Sequence, residues 1–316
     1  MLIIEVIAPA SNEDEIVRLA KKNDVSDVWL SGQHNSQVVI KILLGNEKSQ
    51  KVLDQLQTMM EGKNNFRVLV YPLELALPNE SLKTTAMTRE SLSSRLTAES
   101  RLNWHFIMLV FLSTIVAAIG LIENNVAVII GAMVIAPLLG PNLALSMATT
   151  LGHLKEMRRA LATLLAGIGL ALVISIIIGL LYPDLVITDE LDSRTHVGMS
   201  SMALALASGA AAALSITTGV SSVLVGVMVA VALLPPTVTL GIMIAMQQWH
   251  SAFGALALLA VNIASVNFTT QLTMRLKGIQ PREEKFRNIS RTVFAAGIIF
   301  WLALLVFLTD QMPAFA

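Results

Sequence analysis

AVIIGAMVIAPLLGPNLALSMATT, residues 127–150, is apolar for the length of a membrane crossing but is interrupted near its middle by Pro137, Gly140 and Pro141. The same stretch occurs a second time. Sliding the sequence by 95 positions lays Val128, Gly131, Met133, Val134, Leu138, Leu139, Pro141 and Leu145 on Val223, Gly226, Met228, Val229, Leu233, Leu234, Pro236 and Leu240, giving 8 identities in 25 aligned positions. Apolar composition alone does not put glycine and proline in register, so the pair marks an internal repeat whose unit contains one broken membrane helix.

Composition agrees with a membrane protein. The 316 residues are 54% hydrophobic and only 14% charged, with formal net charge +0 and no cysteine. Thiol chemistry, disulfides and thiolate metal sites are thereby excluded, and neither a basic stripe nor interleaved aromatics suggests nucleic acid as a partner. Charge is concentrated at the N-terminus, where residues 1–80 hold 8 Lys or Arg and 11 Asp or Glu. The expected domains are a soluble one at 1–80, an amphipathic linker helix at 81–103 and a transmembrane part at 104–316.

In the soluble part, 2–7, 25–30, 37–44 and 66–71 read as strands, with 12–23 and 46–61 as helices, and the turn SGQHNS falls between the second and third strands. The order βαββαβ predicts an α+β, ferredoxin-like cytoplasmic domain, which assigns no function by itself.

The remainder predicts an α-helical polytopic membrane protein of about seven crossings: 104–122, 125–151, 159–182, 197–216, 220–247, 251–274 and 292–308. The two long, proline-broken segments suit half-helices joined by unwound backbone. Alternate loops separate by charge. One set carries Arg101, then Lys155, Arg158 and Arg159, then Arg275, Lys277, Arg282, Lys285, Arg287 and Arg291; the other carries Glu123, then Asp184, Asp189, Glu190 and Asp192 with the single Arg194, then 247–250, then Asp310. The positive-inside rule then puts the N-terminus inside and the C-terminus outside. With three crossings per unit, repeats at about 104–182 and 197–274 are inverted relative to each other, and 292–308 is an added span.

RLNWHF at 101–106, IGAMVIAPLLGPNLAL at 130–145, RRAL at 158–161 and LLPPTVTLG at 233–241 resemble the uncharacterised hydrophobic family called domain of unknown function 389. The resemblance covers most of the chain. It implies a prokaryotic integral membrane protein of the cytoplasmic (inner) membrane with a ferredoxin-like module ahead of the hydrophobic part, and it names no substrate.

Function therefore rests on the residues. Inverted repeats with matched broken helices are the arrangement of many secondary transporters, in which half-helix ends meet a solute near the bilayer midplane. The predicted site comprises Pro137, Gly140, Pro141 and Asn142 of one copy and Leu234, Pro235, Pro236 and Thr237 of the other. The amides that follow each proline are expected as open donors. Among Asn262, Ser265, Asn267, Thr269, Thr270 and Gln271 of the sixth span, Asn262, Ser265 and Thr269 share one helical face, and Asn262 and Ser265 join the predicted site. Their competing role is interhelical hydrogen bonding that only packs helices.

No nucleophile with a histidine and carboxylate, no glycine-rich phosphate loop and no Walker lysine is present, so neither an enzyme nor a cofactor is expected. His34, His105, His153, His196 and His250 form no pair at metal spacing, and no metal site is expected. The leading reading is a transporter of a small solute or ion, forming a homo-oligomer in the lipid bilayer. The alternatives are an oligomeric channel and a membrane-anchored sensor or scaffold that signals through the N-terminal domain.

Overall fold

The alternation in LIIEVIAP makes β1 (Leu2–Pro9), with Leu2, Ile4, Val6 and Ala8 buried on one face. A computed structural model describes residues 2–25, 27–34, 36–60, 65–73, 101–182, 185–218, 233–279, 281 and 284–311. The chain divides into two units, Met1–Ser91 and Leu92–Ala316.

In the first unit α1 (Glu13–Lys22) opens with Glu13, Asp14 and Glu15 and closes with Lys21 and Lys22, matching the helix dipole at both ends. Its Ile16 and Ala20, one turn apart, enter the core. β2 (Val28–His34) and β3 (Gln37–Leu44) follow, then α2 (Asn46–Met60), which contributes Val52, Leu53 and Leu56, then β4 (Arg67–Pro72). The four strands form one sheet of order β2-β3-β1-β4, with every neighbouring pair antiparallel. The segment SGQHNS departs from the expected turn. Strand pairing runs through most of it, past an irregularity between Leu30 and Gly32, until His34 faces Gln37.

The second unit is helical. α3 (Trp104–Ile122) is capped by Asn103, whose side chain accepts from the Phe106 amide at 2.8 Å. Asn125 does the same for α4 (Val126–Ile135) through the Val128 amide at 3.2 Å. Pro137 pushes its predecessor Ala136 into the extended region (ψ 119°), which ends α4. α5 (Leu139–Leu151) then resumes at an angle of 54°. The predicted interruption is therefore a sharp bend, and its cause is the proline.

α6 (Leu154–Leu181), a short α7 (Asp189–Asp192), α8 (Met199–Thr218), α9 (Leu234–Ala245), α10 (Trp249–Leu276) and α11 (Glu284–Gln311) complete the described helices. The start of α7 is tied to the end of α3, since the Thr188 hydroxyl donates to the Leu121 carbonyl at 2.7 Å. α6 and α10 are each 28 residues long and begin 95 positions apart, the offset of the sequence match. The connector at 81–100 and the first half of the second interrupted stretch, 219–232, lie outside the described residues.

Among the described residues, α3, α6, α10 and 199–217 of α8 are long and apolar enough to cross a membrane, and α4 with α5 makes a fifth such segment if the bent pair is one span. The chain is a multi-pass membrane protein. Its centre is built from α5, which follows the bend, and α9. From Leu234 to Met243 every residue of α9 is buried, as is nearly every residue of α5 from Pro141 onward. α5 packs against α6 and α10, while α9 packs against α10 and α6. Both helices thus touch the same two long helices, α6 and α10.

Glycine permits two of the closest approaches. A Cβ at Gly241 of α9 would collide with the Ser175 hydroxyl of α6 and lie 3.0 Å from the Leu172 carbonyl. One at Gly209 of α8 would collide with Thr269 and sit 2.8 Å from the Val266 Cα of α10. At that second crossing the Thr270 hydroxyl donates to the Gly209 carbonyl at 3.2 Å. Small residues letting backbones meet, with a hydroxyl bridging them, is how membrane helices associate where no hydrophobic drive separates helix from lipid.

Candidate functional site

Immediately after the bend, Asn142 and Ser146 stand one turn apart on α5, both fully buried. Facing them from α10 is Asn267, half-buried. The Asn267 amide nitrogen donates to the Ile263 carbonyl one turn back at 2.9 Å and to Asn142 Oδ1. The Asn267 oxygen accepts from the Ser146 hydroxyl at 2.7 Å. These contacts orient both amides. Because a backbone carbonyl and the Asn142 side chain are both served by the nitrogen of Asn267, the facing atom of Asn142 must be its oxygen. The Asn142 Nδ2 group is left buried, with no hydrogen-bond partner among the described residues.

A second orphan lies on the other central helix. The Thr239 hydroxyl on α9 is buried and also unpartnered. An unsatisfied polar group in a protein interior costs about 1–3 kcal/mol. Each of the two central helices carries one.

The other predicted residues divide. Pro137 and Gly140 are half-buried at the bend, and Pro141 is buried in the first turn of α5. Leu234, Pro235, Pro236 and Thr237 form the buried head of α9. Thr237 does not offer the expected open donor. Its amide closes on the Leu233 carbonyl at 3.3 Å and its hydroxyl on the same carbonyl at 2.7 Å. The reason is the helix start: α9 begins at Leu234, so Pro235 and Pro236 occupy first-turn positions without N–H groups and Thr237 is already within reach of a carbonyl.

On α10, Asn262 is buried, and the Ser265 hydroxyl closes on the Val261 carbonyl of its own helix at 2.6 Å. The Thr269 hydroxyl donates to the Ser265 carbonyl at 2.9 Å and packs at Gly209. This side of the helix serves the α8 crossing. Asn267 and Ser146, absent from the predicted set, complete the polar cluster. The signal that could have found them is the i, i+4 spacing of Asn142 and Ser146, which places two polar groups on one face of an otherwise apolar segment.

Asn267 also borders a groove of about 520 Å³ between α5, α10 and α11, whose walls are mainly apolar. A family model described as a domain of unknown function, DUF389, matches residues 133–268. An uncharacterized protein of Methanocaldococcus jannaschii is 31% identical over 285 residues, covering 88% of this chain and 89% of that protein. The chain belongs to the DUF389 family. The DUF389 match begins in α4 just before the bend and ends one residue past Asn267, so it takes in Asn142, Ser146, Thr239 and Asn267. No solved structure matches this DUF389 chain.

Proposed function

We propose that the protein carries a small solute across a prokaryotic cytoplasmic membrane, and that the solute is held at the Asn142–Ser146–Asn267 cluster beside the bend. The observation that carries this reading is the buried, unpartnered Asn142 amide nitrogen at the start of a broken membrane helix. A donor kept dry without a partner favours a ligand with an acceptor oxygen or a negative charge, because the ligand supplies the missing bond. The orphan Thr239 hydroxyl gives the second copy a polar group on the equivalent half-helix.

The fuller architecture belongs to the same proposal. Two units of three crossings, one ending in α6 and the other in α10, are inverted relative to each other, and α11 is a seventh crossing. The basic loops face the cytoplasm, as does the N-terminal unit, whose strand order and antiparallel pairing support a ferredoxin-like reading. The chain works as a homo-oligomer and catalyses no bond-making step.

The test uses vesicles containing wild-type or Asn142→Leu protein and a panel of small anions, zwitterions and cations. A solute taken up by the wild type and not by Asn142→Leu supports the proposal. Equal uptake by both, or no uptake of any panel member by correctly inserted wild type, removes it.

A further inference from the structure

Where α10 leaves the apolar region and α11 begins, three arginines gather. Arg275, Arg287 and Arg291, with Thr150, Ile279, Pro281 and Ser290, enclose a pocket of about 220 Å³. Arg275 is fixed in place: its Nη2 donates to the Ser290 carbonyl at 2.7 Å and to the Ser290 hydroxyl at 2.8 Å, and that hydroxyl donates to the Thr150 carbonyl at 2.7 Å. Its guanidinium lies 4.1 Å from the centre of the Phe294 ring, which stacks on Phe268. The Nε groups of Arg275 and Arg287 are buried and have no partner. Among the described residues none of the three arginines pairs with a carboxylate. Guanidiniums that converge on one pocket are complementary to a phosphate, which accepts in the same forked geometry.

One helical turn further along the same three helices the surroundings become apolar. Thr149, Gln271 and Phe294, neighbours of Thr150, Arg275 and Arg291, open the groove of about 520 Å³ whose walls continue to Ala260 and Gly297. The distance from Arg275 to Ala260 along α10 is about 22 Å at ~1.5 Å per residue, more than the ~15 Å of one hydrocarbon leaflet. A basic pocket and, next to it along the same helices, an apolar groove of leaflet depth together match the two ends of a phospholipid. Thr149 and Gln271 fall between the two, at the level of the glycerol esters.

We propose that the seam of α10 and α11 is a binding site for one anionic phospholipid, its phosphate held by Arg275, Arg287 and Arg291 and one acyl chain lying in the groove. The site goes beyond the transport reading, and its groove borders Asn267 of the solute cluster. Basic pockets between membrane helices recognise lipid headgroups in this way, and a free anion has no use for the groove.

The test is retention of phosphatidylglycerol against phosphatidylcholine by the full-length protein in mild detergent, read by native mass spectrometry, with inorganic phosphate as competitor. Wild type should prefer phosphatidylglycerol. The Arg287→Gln, Arg291→Gln double variant, which leaves the Arg275 contacts in place, should bind it about 30-fold more weakly, two charges at roughly 1 kcal/mol each. Gly297→Leu offers a second arm, because a Cβ there meets nothing within 4 Å and the larger side chain can fill the groove. It should lower retention of the lipid while leaving the protein folded. Equal retention of the two lipids by wild type, no change in either variant, or displacement of the lipid by millimolar phosphate overturns the proposal, the last in favour of a soluble-anion site.

Discussion

Gly152 and Gln247 stand 95 positions apart and both adopt the left-handed conformation, with φ of 73° and 57°. The amide after each closes on the carbonyl five residues back, His153 on Ala148 and Gln248 on Met243, both at 2.9 Å. α5 and α9 thus end in the same turn, although one uses glycine and the other does not. Two substitutions should therefore move in opposite directions. Gln247→Gly relieves a side chain from an unfavourable backbone region and should raise stability by roughly 1 kcal/mol. Gly152→Ala should lower it by about 1–3 kcal/mol, because the new Cβ would also collide with the Phe286 carbonyl. Thermal unfolding in mild detergent reads both, and a wild-type midpoint for Gly152→Ala would contradict the packing of α11 on this turn.

The asparagine pair predicts an asymmetry. Asn142→Ala exchanges one orphan for another, since it removes the unpartnered Nδ2 group and frees one N–H of Asn267. Its effect on stability should be under about 1 kcal/mol. Asn267→Ala strands both ends of the Asn142 amide and leaves the Ser146 hydroxyl only the Asn142 carbonyl at 3.1 Å, and should cost about 1–3 kcal/mol. Denaturation of the two variants side by side checks this, and equal losses would place the cluster's hydrogen bonds elsewhere.

At the α6–α9 crossing the prediction is a rescue. Gly241→Ala should destabilise by about 1–3 kcal/mol by driving a methyl group into Ser175. Adding Ser175→Gly should recover most of that loss. A double variant no better than the single one would show that the methyl group is opposed by backbone alone.

Loop charge predicts accessibility. A cysteine at Ser193, in the acidic segment after α6, should react with an impermeant maleimide on intact cells, whereas one at Asn35 should react only after lysis. The chain has no native cysteine to confuse the readout. Reversed labelling would invert the proposed topology.

The bend was legible because Pro137 acts locally: a proline restricts the residue before it wherever it stands. The alternating pattern of the first unit was legible for the same reason, to within a residue or two at most ends, although no single residue in SGQHNS announced that pairing with β3 would carry the strand into it. The polar site was legible by half. Asn142 follows the break in sequence, but its partner comes from a helix more than a hundred residues away. Helical periodicity sorts Asn262, Ser265 and Thr269 onto one face and Asn267 and Gln271 onto another without saying which neighbour covers each. α10 is packed on both sides, so both faces are polar for different reasons: one meets Gly209 of α8 and the other meets Asn142 and the groove. Thr237 was misjudged for a related reason, since the first open amide of a helix depends on its starting residue, and boundaries are the least certain part of a sequence reading.

The contact between Ser146 and Asn267 spans 121 residues of chain. At about 5–20 residues per second on the ribosome, α5 leaves the tunnel roughly 6–24 seconds before the helix that completes its polar contacts. α9 has the opposite history, because α6 is already made when it emerges. During that interval the newborn chain holds Asn142 and Ser146 without Asn267, so the segment α3 to α6 is a dependent part-product whose final burial waits for α10. Folding of this protein in its membrane is therefore coupled to completion of synthesis, and a ribosome stalled between α6 and α10 leaves a chain that the cell's quality control should recognise by its unpaired α5.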